Sequence, residues 1–452
     1  MNALPSDWAA SPLRRVAIAL VLLAGALPNP AMAQSLAWVK QLGTTAHEQF
    51  KGVSVDGFGN VVAVGDTGGT IFAPNAGSSD ALLARYSSGG TLLGGLQDGT
   101  VNGDDFHAVT ADGAGGVYVA GYTQGPGASL GPPSVGTGNN ILGRVNSLNS
   151  YVWLQQESLR DPFGGGGYPT GNFVTGGTAF SAVAGPHLGP GGDVLVHVYD
   201  STGALLWDDQ TGTAAHEGAF AAAGDAFGNY YVAGRTEGNW NGTHQGMGDA
   251  FVAKYDSTGT QQWVRQLGST GNDSATSVAV DFIGNVYMAG ITDGSIGGPN
   301  QGSSDNFVAM YDPAGAFQWV TQIASSGMEG NPTVTGLGLS VWVGGTTGGS
   351  LFGPNLGLLD VYVAQLNTAG NIMYSTQIGT ANHDTVVAST SEFGGVYFAG
   401  TTNGSFGGPH QGGDDAVLIA FNAIPPIPEP SGLALVACGA GAVIGMRLRR
   451  RR

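Results

Sequence analysis

Three observations predict an all-β protein folded as a seven-bladed β-propeller of four-stranded antiparallel blades. A unit of about 55 residues recurs seven times, each copy splits into four short apolar runs, and the first and last copies lack complementary strands.

The period is marked by aromatic residues. Trp207, Trp263, Trp319 and Tyr374 follow one another at 56, 56 and 55 residues, and Trp38, Leu93 and Trp153 mark earlier copies. In the fifth copy the runs are "SATSVAVD", "NVYMAGIT", "NFVAMYD" and "FQWVTQI". A short "FIG" turn, a long "DGSIGGPNQGSSD" loop and "PAGA" separate them. Runs that are apolar almost without interruption suit strands covered on both faces, as in blades packed side by side.

Side-chain size orders the strands within a blade. Runs such as "EGAFAAAGD" and "DTVVAST" are small enough for the crowded axis, whereas "QQWVRQL" carries a Trp that fills the wide outer gap. The body opens on a lone outer strand, "LAWVKQL", and its repeats stop after a third strand, "DAVLIAF". Pairing the two closes the ring and leaves no exposed sheet edge. An open solenoid gives no reason for complementary missing strands. The third copy departs from the rest: "LRDPFGGGGYPT" makes a poor inner strand, so this blade is expected to be irregular, with "GGGG" at 164–167 as a flexible loop.

The pattern D-x-x-G-N-V-Y-x-A-G-x-T followed by G-S-S-D-x-F-V-A-x-Y-D, repeated between Ser35 and Asn422, resembles the bacterial SBBP (seven-bladed β-propeller) repeat family.

Composition narrows the class. Glycine supplies 80 of 452 residues without a Gly-X-Y period, and 42% of residues are apolar, which excludes collagen and disfavours disorder. Between Gln34 and Ile427, eight Lys and Arg face thirty Asp and Glu, a net charge of −22. Nucleic acid and anionic membrane surfaces are therefore excluded as partners of the body, since both need a basic face. The single Cys438 lies in the C-terminal tail, so the body has no disulfide and relies on its size for a core.

Both ends read as targeting segments. Arg14 and Arg15, the run "VAIALVLLAGAL" and then "AMA" predict a signal peptide over 1–33, cut after Ala33 by signal peptidase. The propeller is assigned to 34–423, followed by a Pro-rich spacer at 424–430, an apolar transmembrane segment at 431–446 and an Arg-rich cytoplasmic end at 447–452. The apolar run is short of the ~20 residues of a stable span and suits a transient stop. Pro428, Glu429 and Pro430, then Ser431 to Met446, then Arg447, Arg449, Arg450, Arg451 and Arg452 together resemble the PEP-CTERM sorting signal of Gram-negative exporting bacteria. That resemblance implies recognition by a membrane exosortase, cleavage near the motif, and release or attachment at the cell surface in association with extracellular polysaccharide and biofilm. A plain single-span anchor is the alternative.

Candidate chemistry sits in the loops. Five residues after a shared Gly, or Ala324, come Glu48, Asp104, Glu217, Asp273, Glu329 and Asp384, one in every copy but the third. A second set, Asp80, Asp193, Asp249, Asp305, Asp360 and Asp415, starts the third strands on the same face. One reading has each carboxylate accepting backbone N–H bonds as repeated scaffold. The other has the first set binding Ca²⁺ or another hard cation, which prefers clustered oxygen ligands. His47–Glu48, His216–Glu217 and His383–Asp384 raise zinc, but none has the second His of a helical zinc motif. There is no G-x-S-x-G elbow and no Walker loop. The Trp residues of the outer strands read as packing; Trp240, in a loop, is better placed for binding.

The expected protein is thus an exported, monomeric, non-enzymatic binding or scaffold propeller without a catalytic residue or a cofactor. It meets signal peptidase and exosortase during export, and extracellular polysaccharide or surface proteins afterwards. The alternative is an extracellular lyase or hydrolase working from the acidic, His-bearing loop face.

Overall fold

A computed structural model describes residues 34–124, 139–157, 162–167, 172–181, 183–338, 340–392 and 394–423. Residues 1–33 and 424–452, with the signal-peptide and sorting-tail readings, lie outside the described residues. Among the described residues there is no helix long and apolar enough to cross a membrane. They form 28 strands in seven four-stranded sheets, a seven-bladed β-propeller. In six blades the chain runs inner, second, third, outer, and neighbouring strands pair antiparallel.

The inner strands are Glu48–Val55, Asp104–Ala111, Pro162–Gly167, Glu217–Gly224, Asp273–Val280, Glu329–Leu337 and Asp384–Glu392. The third blade, expected to be irregular, is a complete sheet, and the glycine run expected to be a loop forms its inner strand. At six residues this is the shortest of the described strands, and glycine serves there because the axis leaves little room for side chains.

The second and third strands are buried along most of their length, and wholly so in Val61–Thr67 and Asp80–Tyr86, because a neighbouring blade covers each face. The resulting core lies between blades. Val252, Ala275, Met288 and Phe307, for example, form one cluster across the fourth and fifth. The outer strands begin exposed and end half-buried.

Each outer Trp turns toward the next blade. Nε1 of Trp38, Trp153, Trp263 and Trp319 donates to the carbonyl of Ser88, Ser201, Pro313 and Thr368, all in the turn between the next blade's third and outer strands. That turn carries a left-handed glycine against the indole face. At Gly259 (φ +85°) a Cβ would lie 2.9 Å from Trp207, and at Gly370 (φ +79°) 2.7 Å from Trp319. The "DSTGT" glycine is therefore demanded twice, by backbone conformation and by the aromatic ring beneath it. Pairing also corrects one assignment. Arg85 opposes Gly94 where Lys254 opposes Trp263, so Gly94 and not Leu93 holds the Trp position of the first blade.

The seventh sheet places Ser35–Leu42 beside Asp415–Asn422, so the first described strand completes the last blade.

Candidate functional site

The two sets of carboxylates, expected to look out from one face, are turned inward. Glu48, Glu217, Asp273, Glu329 and Asp384 are 0% exposed and Asp104 is 1%. Each accepts the backbone N–H of a Thr or Ser four residues earlier, at 2.5–2.8 Å, and the hydroxyl of the same residue. In five blades the hydroxyl of the Thr ending the second strand completes the set: Thr67, Thr123, Thr236, Thr347 and Thr402. The backbone N–H of each acid meanwhile donates to the preceding blade, as Asp273 does to the Gly248 carbonyl at 2.8 Å. These acids pin their own loop and lock neighbouring blades together. For Asp104 and Asp273, burial raises the carboxyl above its ordinary range even against the hydroxyl and N–H bonds that stabilise its charge.

The second set follows another repeated rule, absent from the sequence reading. A Gln on the outer strand donates Nε2 to the Asp that starts the third strand: Gln97 to Asp80, Gln210 to Asp193, Gln266 to Asp249, Gln322 to Asp305 and Gln377 to Asp360, at 2.7–2.9 Å. The Gln carbonyl oxygen accepts backbone N–H groups of the long loop, such as Ile71 and Phe72. W-x-x-Q, legible in "WVRQ" and "WVTQ", was the available signal.

Among the described residues no group of three or more His, Cys, Asp and Glu is placed to hold a metal ion. His47 contacts Asp414, His216 accepts the Gly192 N–H, and their neighbours Glu48 and Glu217 point into the scaffold, so the His–acid pairs are not brought together. Trp240 is also corrected as a binding residue: it is 8% exposed and packs on Phe251, because its loop folds back over the sheet.

What differs from blade to blade lies at the axis. Every inner strand has a register shift near its third residue, and in five blades the second strand opposite it carries a Gly, four times within A-G-x-T and once, at Gly65, within V-G-D-T. The bulge pushes the inner backbone onto that Gly. A Cβ at Gly65 would lie 1.9 Å from the Gln49 carbonyl oxygen, and one at Gly290 2.2 Å from that of Ser274. The extra residue is left unpaired and re-aimed, as bulges do. It is Lys51, His107, Gly164, Phe220, Thr276 and Val387 in six blades. Lys51, His107, Phe220, Thr276 and Val387 line a central channel of about 460 Å³, together with Gln49, Ser277, Thr333 and Ser389.

The frame is thus constant and the residues it presents are not. On blades one and two they form a charged arc. Lys51 Nζ lies 2.9 Å from Asp66 and 2.7 Å from Asp105, His107 Nε2 lies 2.9 Å from Asp105, and Gln49 donates to Asp66 at 2.8 Å. Burial works against the Lys51 charge, but Asp105 and Asp66 outweigh it and hold the ammonium above the usual lysine range. Burial likewise favours neutral Asp105, yet His107 and Lys51 hold its carboxyl below the usual range. Further round the ring the lining changes to Phe220 and Val387, 36% and 43% exposed, and to hydroxyls. Thr333 and Ser389 hydroxyls meet at 2.7 Å across the sixth and seventh blades.

Comparison with known proteins follows this geometry. Residues 262–298 match the family model SBBP, described as a beta-propeller repeat. The regulatory protein FlaEY of Caulobacter vibrioides is 31% identical over 240 residues, which are 48% of this chain and 24% of that protein. An uncharacterized WD repeat-containing protein of Acanthamoeba polyphaga mimivirus is 27% identical over 171 residues, 31% of this chain and 12% of that one. The chain therefore spans a quarter or less of these relatives. Among solved structures, a protein of unknown function from Dyadobacter fermentans gives a TM-score of 0.47 at 13% identity, covering 87% of this chain and 100% of that one. The beta-propeller domain of the Trilobed protease from Pyrococcus furiosus gives 0.45 at 10% identity, covering 79% and 92%. This chain is a seven-bladed β-propeller that carries an SBBP-type beta-propeller repeat at residues 262–298.

Proposed function

We infer that this protein is an exported, non-enzymatic β-propeller that binds or scaffolds material at the cell surface or in the extracellular matrix, in association with exopolysaccharide. The observation that carries the non-enzymatic reading is the use of its repeated acids: the entry-loop carboxylates have both oxygens bonded to internal donors, and the acids that start the third strands are buried with one oxygen held by an outer-strand Gln. A lyase or hydrolase on this face would need carboxylates free to reach substrate. Export is supported by the segment ending at Ala33 and by the Pro428–Glu429–Pro430 motif with its apolar run and arginines, read as substrate for an exosortase-type system. The acidic body suits a soluble matrix component.

Mass spectrometry of the protein recovered from the cell surface tests the sorting. A C-terminus near the motif is expected, and an intact chain through Arg452 would overturn it. Retention of the exported body on purified matrix polysaccharide, without release of cleaved sugar, tests the binding.

A further inference from the structure

We propose that the central channel is a binding site for a neutral saccharide unit of hexose size, seated on the ring of bulge residues. The proposal rests on reading the propeller as a binding module and not on its export. A volume of about 460 Å³ lies within the roughly 300–1,000 Å³ of small-molecule pockets and leaves room for one or two sugar rings.

The lining selects the chemistry. A repeated scaffold would present the same residue from each blade, as the carboxylate sets do. Here the same bulge presents Lys51, His107, Phe220, Thr276 and Val387, so the ring is asymmetric while its frame is not. A free cation is disfavoured because Lys51 Nζ already occupies the place between the Asp66 and Asp105 carboxylates. An anion is disfavoured by those two carboxylates and by a body of net charge −22. A wholly apolar ligand would strip water from a charged arc without replacing its hydrogen bonds.

A polyol satisfies all of these constraints. Its hydroxyls accept from Lys51, 20% exposed on the channel wall, while the fifth blade offers the hydroxyls of Thr276 and Ser277 across the channel and the seventh that of Ser389. Phe220, three blades round the ring from Lys51, supplies a flat apolar face for the C–H side of a sugar ring.

The experiment is calorimetric titration of the purified full-length protein with D-glucose, D-galactose and N-acetyl-D-glucosamine, alongside D-glucuronate and D-glucosamine as charged counterparts. Saturable one-to-one binding of at least one neutral sugar is expected, weakened at least tenfold in both Phe220→Ala and Lys51→Gln. Phe220 is 36% exposed, and melting curves of its variant beside wild type separate loss of binding from loss of fold. Absence of neutral-sugar binding, binding of only a charged sugar, or undiminished binding in both variants overturns the site. None of these outcomes bears on export, which the C-terminal mass reports separately.

Discussion

Gln41 donates its side-chain amide to Asp415 at 2.5 Å, joining residues 374 positions apart. Its carbonyl oxygen accepts the backbone N–H groups of Phe406, Gly407 and Gly408 at 2.9–3.2 Å. This is the Gln–Asp bond of the other blades, formed here between the two ends of the ring. Closure is thus the repeat's own local chemistry carried out across the seam.

Gln41→Ala is expected to destabilise the fold by about 2–3 kcal/mol, since a buried carboxylate and several loop N–H groups lose their partner. Urea unfolding beside the internal control Gln266→Ala is the measurement. A Gln41→Ala cost well below the control's would show that the seam is held some other way.

Gly290→Ala should cost about 2–3 kcal/mol, because its Cβ would lie 2.2 Å from a backbone oxygen and the bulge must flatten to admit it. Gly330→Ala is the contrast, with nothing within 4 Å of its Cβ. Thermal melts of the two variants should separate by several degrees; equal melts would remove the link between the A-G-x-T glycine and the bulge.

Melting curves in EDTA and in millimolar Ca²⁺ are expected to superimpose, because the entry-loop carboxylates are already satisfied by Thr and Ser donors. A rise of several degrees in Ca²⁺ would mean that the acids release those donors for metal. Glu217→Gln should destabilise the fold in either medium, by about 1–3 kcal/mol, by weakening the bonds from Thr213 and Thr236.

Asp98→Leu is expected to stabilise the protein at neutral pH by about 1 kcal/mol. Register places Asp98 where other blades have Leu267, Ile323 and Ile378. Burial, with Asp104 and Asp80 nearby, raises its carboxyl above the ordinary 3.8. A carboxyl raised on folding costs nothing below 3.8 and costs stability as pH climbs through its folded value. The advantage of leucine should therefore be larger near pH 7 than near pH 3 in paired urea titrations. An advantage independent of pH would sink the electrostatic explanation.

Much of the fold was legible in the chain. The 56-residue steps from Trp207 to Trp263 to Trp319, the small inner runs and the complementary end strands led to seven blades and a closed ring, because each reflects a local demand for size or periodicity. The glycine run at 164–167 misled, since glycine signals a loop in isolation but also fits a crowded axis. Trp240 misled for a related reason: a loop position says nothing about whether the loop folds back. The entry acids were located correctly along the chain, yet their direction depended on Thr partners such as Thr67, some twenty residues away in sequence.

By itself, then, the sequence determined repeat, strand order and closure, which arise from patterns inside one unit or at its edges. Only the tertiary structure decided that the repeated carboxylates turn inward, and that Lys51, His107, Phe220, Thr276 and Val387 share one channel. The reason is physical. A bulge shifts register by a single residue, and in a β-strand that one step decides whether a side chain is paired within its blade or released toward the axis.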